Sequence, residues 1–244
     1  MELQTSLAGW PPENKAFPVR DIDIRVQPGA LEFLGQYEAA IAANWEAEIA
    51  ANPHLFNGKL LTIYELAFTD GIVRANAKVV PYAYHLWWRR QASPPPTFHA
   101  FAMAVLISSD DAVMAIRMSE TTANPGKVYC ASGSLELSDI VDGRVDVDAN
   151  MAREVAEETG IDLTALRPGA DYYCAHSRQC VMFYRFYRSE LPAEKLVEKV
   201  HAHMRRDDEK EIDAVIPVTR GNMNSFDYGH SMPPALDLFF RSQS

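Results

Sequence analysis

The stretch REVAEETGI, Arg153 to Ile161, places three glutamates within five positions and closes on a glycine. On a helix turning about 100° per residue, with Glu154 at zero, Glu157 falls near about −60° and Glu158 near about +40°. All three carboxylates therefore share one arc of about 100°. Ala149, Ala152, Val155 and Ala156 lie on the other side and are expected to pack against a sheet, with Met151 at the edge of the acidic arc. Asp146 and Asp148 are available to cap the start, and Gly160 suits the position after the last turn, so a helix is expected over 147–159. Like charges at i, i+3 and i+4 repel, and within the motif only Arg153 compensates them. A hard divalent cation would compensate as well, because Mg²⁺ accepts carboxylate oxygens and keeps positions for water or phosphate. The plain alternative is an acidic face in solvent.

Composition narrows the setting. The net charge of −10 makes non-specific nucleic-acid binding a poor fit, since that relies on Lys and Arg neutralising phosphates. It leaves room for anionic substrates that meet the chain through divalent cations. No apolar run approaches the roughly 20 residues of a membrane span, so no membrane role is expected. The first residues, MELQTSLAGWPPENKAFPVR, lack the layout of a signal peptide. Cys130, Cys174 and Cys180 form no CxxC pair, and the odd count suits a reducing cytosol.

Along the chain, residues 1–96 read as an α+β module. A strand is expected over 19–26, then a helix over ALEFLGQYEAAIAANWEAEIA, ended by Asn52-Pro53. KLLTIYELAF and IVRANAKVVPYAY flank Thr69-Asp70-Gly71, a hairpin signal. SPPP, Ser93 to Pro96, is the best linker. In residues 97–244, FHAFAMAVLISSDDAVMAIRMS reads as two buried strands, followed by a short strand near Tyr129 and a small-residue corner at Ser132–Ser134. VMFYRFYRS and EIDAVIPV are strand-like, while PAEKLVEKVHAHMRR and MPPALDLFFRSQ are helical. The mixture predicts an α/β protein with a mixed sheet sandwiched between helices.

Arg-Glu-apolar-x-Glu-Glu-x-Gly-apolar resembles the helical half of the Nudix box, and every specified position is filled. By average residue usage, an accidental match in a chain this long has odds on the order of 10⁻⁵. The resemblance covers roughly residues 98 to 220. AMAVLI and AVMAIR look like the family's strand pair, Pro125-Gly126 like its turn, Tyr129 like its aromatic strand, and SGSLE, with Gly133 and Glu136, like its Gly-x-x-Glu corner. It implies the Nudix fold with an extra N-terminal module. One departure stands out. The family's loop runs Gly-x5-Glu and then seven residues to the arginine, which leaves Val145 where the glutamate belongs, and the loop is about six residues longer than the pattern. Asp139, Asp142 and Asp146 are the candidate replacements.

What the resemblance implies is hydrolysis of a nucleoside diphosphate linked to a group X, with Mg²⁺ or Mn²⁺ as cofactor. Glu154, Glu157 and Glu158 would be the metal ligands, with the Gly133 backbone close by. Arg153 would orient one of the glutamates. Glu209 and Glu211, just before a strand, are candidates for the general base, with a solvated acidic turn as the alternative. Arg117 and Glu136 are candidates for substrate contact. NPHLFNGKLL, Asn52 to Leu61, is similar to a segment in a branch of the family acting on UDP-sugars, where the box loop is also irregular, and this tilts the expected substrate toward nucleotide sugars. The module could also serve as a homodimer interface. The competing class is a Nudix-fold binding or regulatory protein that has lost catalysis.

Other constellations carry less. His201 and His203 do not share a helix face and make a poor metal pair. HLWWRR, His85 to Arg90, could stack a base on Trp87 or Trp88, or pack them in a core. No nucleophile elbow, Walker motif or Rossmann glycine motif occurs.

Overall fold

The computed structural model describes residues 3–241. The elements run β1 (Phe17–Val19), β2 (Asp21–Val26), α1 (Glu38–Ala51), β3 (Lys59–Thr69), β4 (Ile72–Pro81) and α2 (Tyr82–Trp88). Next come β5 (Phe98–Ile107), β6 (Val113–Met118), β7 (Val128–Tyr129), β8 (Ser132–Ser134), β9 (Ile140–Val141), β10 (Arg144–Val145) and α3 (Val147–Thr159). The chain continues with β11 (Arg167–Ser177), β12 (Cys180–Arg188), α4 (Ala193–Met204), β13 (Ile212–Val218) and α5 (Met232–Arg241). Ser242 and Gln243, which the sequence attaches to the last helix, lie outside the described residues.

Among the described residues thirteen strands join one mixed sheet flanked by helices. Its main path is β1-β11-β12-β5-β3-β4-β2-β10-β9, with β12 parallel to β5 and β2 parallel to β4. β5 organises the rest. One edge carries β12 along its whole length, while the other is shared in turn by β3, β8 and β6. Strand alternation sends Ala100, Ala102, Ala104 and Leu106 to a core with Met151 and Val155 of α3 and Leu196 and Val200 of α4. Phe101, Met103, Val105 and Ile107 point the other way, against Leu236 and Phe239 of α5. The small alanines on the first face let α3 lie close to the sheet. No helix among the described residues is long and apolar enough to cross a membrane.

Three expected elements have different bounds. The run IVRANAKVVPYAY is strand only to Pro81, and Tyr82 starts α2. The strand over 19–26 breaks at Arg20, whose N–H donates to Gly71 O at 2.6 Å, so β1 pairs with β11 while β2 pairs with β4. The first helix begins at Glu38 instead of near Ala30, preceded by a 3-10 turn over Leu34–Tyr37 that contains Gly35, a weak helix former. The sheet runs across residue 96 without interruption: Thr62 and Ile63 of β3 pair with His99 and Phe98 of β5.

Candidate active site

The helix α3 has the predicted bounds because both ends are closed. Asp146 Oδ1 accepts from the N–H groups of Asp148 and Ala149 at 3.1 and 3.0 Å. Gly160 follows with φ +68° and donates its N–H to Ala156 O at 2.9 Å. Its buried stripe is not the alanine side. Val147, Asn150, Met151, Val155, Glu158 and Thr159 are buried, while Ala149 and Ala156 are exposed. The larger side chains at i, i+4 and i+8 (Val147, Met151, Val155) take the core, and this rotates the acidic arc toward β8. Glu158 is buried, and the Glu154 side chain retains 13% of its exposure against 55% for Glu157. The three glutamates therefore do not form a solvated face.

The Gly133 corner explains how two carboxylates fit there. A Cβ at Gly133 would fall inside the Glu154 carboxylate. Beside it, the Ser132 N–H donates to Glu158 Oε2 at 3.1 Å. Arg153 gathers the rest. Its guanidinium lies 2.7 Å from Glu154, 3.0 Å from Glu157, 3.3 Å from Asp139 and 3.4 Å from Glu136.

The longer box loop resolves around Asp139. This residue follows Gly133 by the five-residue gap that the pattern assigns to glutamate. It is buried, and its Oδ2 accepts from the Glu136 N–H and from Asn150 Nδ2, both at 2.8 Å. Of the three aspartates left open by the sequence, Asp139 is the one that meets Arg153; Asp146 caps α3 and Asp142 sits in a turn at φ +50°. The six extra residues are 140–145, the hairpin β9–β10, turned by Asp142-Gly143 with both φ positive. Val145 is buried in that hairpin, and Arg144 pairs with Arg25 of β2.

Burial dominates the electrostatics. It raises the Glu158 carboxyl well above the usual carboxylate range, with Glu154 and Glu211 adding to it. Burial also pushes Glu154 up to about 7; Arg153 opposes the shift, and Glu157 and Asp139 reinforce it. Desolvation, then Glu209, Glu157 and Asp207, raise Glu211. Burial works to lower the Arg153 guanidinium, yet Glu154, Asp139 and Glu136 hold it above its ordinary value. A buried carboxylate pair of this kind resists ionisation unless a cation joins it.

The structure brings Glu154, Glu157, Glu158 and Arg153 together at Gly133, with Glu211 in electrostatic reach. Glu136 reaches the same cluster through Arg153 and accepts from Ser138 Oγ at 2.5 Å. Glu209 lies on the exposed turn before β13, its N–H donating to Asp207 Oδ1 at 3.1 Å. Arg117 points elsewhere: its Nε lies 2.6 Å from Asp213 Oδ1 on β13. His203 bonds the Glu157 carbonyl through Nε2 at 2.7 Å. Trp87 and Trp88 are buried in the core between α1 and α2. Sequence reasoning missed Asn150, whose amide also donates to Ser134 O at 3.2 Å and ties the box helix to the corner.

The donor chemistry suits a hard divalent cation, because among the described residues the only cation ion-paired to these carboxylates is Arg153. With the side chains as they lie, no three His, Cys, Asp or Glu residues among those described are arranged to hold a metal ion. Arg153 draws Glu154 and Glu157 to itself, and Glu157 is exposed enough to swing away.

No family model matches the sequence, and no curated protein matches it. Solved structures do. A MutT protein from Methanosarcina mazei Go1 aligns at 16% identity and TM-score 0.39, covering 60% of this chain and 96% of that one. A Nudix hydrolase from Nitrosomonas europaea aligns at 14% identity and TM-score 0.40, over 60% of this chain and 90% of that one. A Deinococcus radiodurans protein aligns at 14% identity and TM-score 0.42, over 75% of this chain and 98% of that one.

Proposed function

We propose that this chain is a divalent-metal-dependent hydrolase of the Nudix type, cleaving the diphosphate of a nucleoside diphosphate linked to a second group, with nucleotide sugars as the first substrate class. The carrying observation is the seating of α3 on the glycine corner: Glu154 packs where Gly133 lacks a side chain, and Glu158 is held by the Ser132 N–H.

Glu154 and Glu158, with Glu157 once it leaves Arg153, would hold Mg²⁺ or Mn²⁺. The bound cation would supply charge neutralisation at phosphate and an activated water. The protein groups have separable tasks. Asp139 and Asn150 fix the guanidinium side of the cluster, so Arg153 keeps Glu154 in place without reaching substrate. Glu211 is favoured over Glu209 as the base, because its charge is felt at Glu158 and desolvation raises its carboxyl, whereas Glu209 lies on the exposed turn. The likeness of NPHLFNGKLL to the UDP-sugar branch supports the substrate class. In the fold that segment ties Asn52 Nδ2 to Thr121 O at 2.8 Å and Asn57 Oδ1 to the Ala83 N–H at 2.9 Å, beside the start of α2.

The test is phosphate release, coupled to a phosphatase, from nucleotide sugars, dinucleotides, ADP-ribose and coenzyme A. It is run with Mg²⁺, with Mn²⁺ and with EDTA, for the wild type and Glu158→Gln. Metal-dependent turnover lost in the variant is expected. Silence across the panel, with ligand stabilisation retained, would turn the reading to a nucleotide-binding protein without catalysis.

A further inference from the structure

Away from the carboxylates, five rings form a continuous strip between α2, β5 and the segment before α5. Tyr82 lies 5.9 Å from His85 between ring centroids, and His85 lies 4.0 Å from His99. The strip continues from His99 to Phe101 at 5.5 Å and from Phe101 to His230 at 5.8 Å. The first three rings are inclined by only 30–35° to their neighbours, so they stack in series. His99 and Phe101 share a face of β5, and Phe101 pairs with Ser134, next to the glycine corner.

Phe101 anchors the strip in the core against α5, but the histidines are poorly explained as core. His85 and His99 are two imidazoles in close contact, and His99 Nδ1 is buried with no hydrogen-bond partner among the described residues. A buried nitrogen left without a partner is destabilising, and an apolar side chain would avoid that cost. Tyr82, His85 and His99 are only half-buried, and His230 is exposed. Burial, then Arg89, holds His85 near about 3, and burial also lowers His99 and His230, so the strip is uncharged at neutral pH. Neutral imidazole both donates and accepts, and a ring strip offers stacking to a planar partner.

The surroundings supply the rest of a ligand's needs. Arg89 is exposed, and its positive charge is felt at Tyr82, His85, His99 and His230. Its Nη2 donates to the neutral Asn124 amide at 3.1 Å, and among the described residues it makes no ion pair within 4.0 Å. The strip also adjoins the catalytic cluster. Burial raises the Tyr82 hydroxyl, and Glu211 contributes. A Cβ on Gly229, beside His230, would stand 2.8 Å from the Tyr129 ring, and Tyr129 senses Glu158.

We propose that the ring strip Tyr82–His85–His99–Phe101–His230 is the nucleobase site of this protein, with Arg89 on the phosphate next to the nucleoside. The assignment rests on the hydrolase reading for the kind of ligand, but binding tests it without turnover. Calorimetric titrations of uridine 5′-diphosphate, adenosine 5′-diphosphate and inorganic pyrophosphate are made on wild type, His85→Leu, His230→Ala and Arg89→Gln, each with Mg²⁺. At least one nucleoside diphosphate is expected to bind about ten-fold or more tighter than pyrophosphate. His85→Leu should erase that preference and leave pyrophosphate binding within about two-fold, whereas Arg89→Gln should weaken all ligands. His230→Ala alters an exposed residue, so a partial loss of the preference is readable even if His85→Leu fails to fold. Equal binding of base-bearing and base-free ligands to wild type overturns the assignment, as does a preference that survives both histidine substitutions. Hydrolysis of the substrate panel fails or succeeds separately from either result.

Discussion

The acidic face of α3 and the ring strip beside α2 handle desolvation in opposite ways. On α3, charged groups are buried and left in mutual repulsion, restrained by one arginine and one backbone N–H. On the strip, burial disfavours charge, and Arg89 beside it makes no ion pair among the described residues. The first arrangement stores a demand for a cation, while the second offers a surface to a neutral planar group with an anion attached. A diphosphate ester of a nucleoside carries both complements.

Breaking the acidic side should have the largest effect. Glu158→Gln is expected to lower kcat by about 10³-fold with metal present. The metal-free melting temperature should hold or rise, because the amide replaces a carboxyl that burial resists ionising; steady-state kinetics and melts check both. A variant keeping a tenth of wild-type kcat would remove Glu158 from the chemistry. Gly133→Ala should cost about 1–3 kcal/mol in urea unfolding, because the methyl group occupies the space of the Glu154 carboxylate. Activity should fall with it, and an active, fully stable variant would mean that Glu154 can sit elsewhere.

Smaller changes sharpen the contrast. Without metal, folded Glu154 holds its proton up to about 7, whereas an unfolded glutamate releases it near about 4.3. The native state therefore binds more protons across that window, so Glu154 should make stability fall as pH rises from about 4 to about 7 by on the order of 3 kcal/mol at most, and the raised Glu158 carboxyl extends the fall to higher pH. Urea unfolding in EDTA reads this slope, Glu154→Gln should make it shallower between about pH 4 and about pH 7, and Mg²⁺ should restore stability at pH 8. A flat profile in the wild type would contradict the buried pair. Asp139→Asn should reduce kcat by about ten-fold through Arg153, with KM little changed. Arg117→Ala should change least, within about 1 kcal/mol in stability, because its exposed partner is Asp213; a raised KM would instead return Arg117 to the substrate.

Legibility followed sequence contiguity. The α3 bounds, the Asp70-Gly71 hairpin and the mixed sheet could be read because caps, turn residues and apolar periods are local signals. β11 was not read: Pro168 and Gly169 interrupt its pattern, and its pairing shifts register between Pro168 and Tyr172. The acidic arc was legible as spacing, but its orientation was not, since Val147 and Met151 compete with alanines for the sheet and only packing decides between them. Asp139 was one of three open choices because the hairpin insertion could have fallen on either side of it. The ring strip had no signal at all. Its members come from α2, β5 and residue 230, and HLWWRR drew attention to the tryptophans, which are core, instead of to His85 and Arg89.

The inserted hairpin also has a consequence for the order of assembly. Arg144 of β10 finds its partner, Arg25, more than a hundred positions earlier in the chain. Such pairings form late, after the entropy of closing a long loop has been overcome. During synthesis the early strands emerge first and wait as a template for β10. The box loop is thereby finished only on a sheet that already holds β2, β3 and β4, so the N-terminal strands are a precondition for seating the acidic helix that follows them.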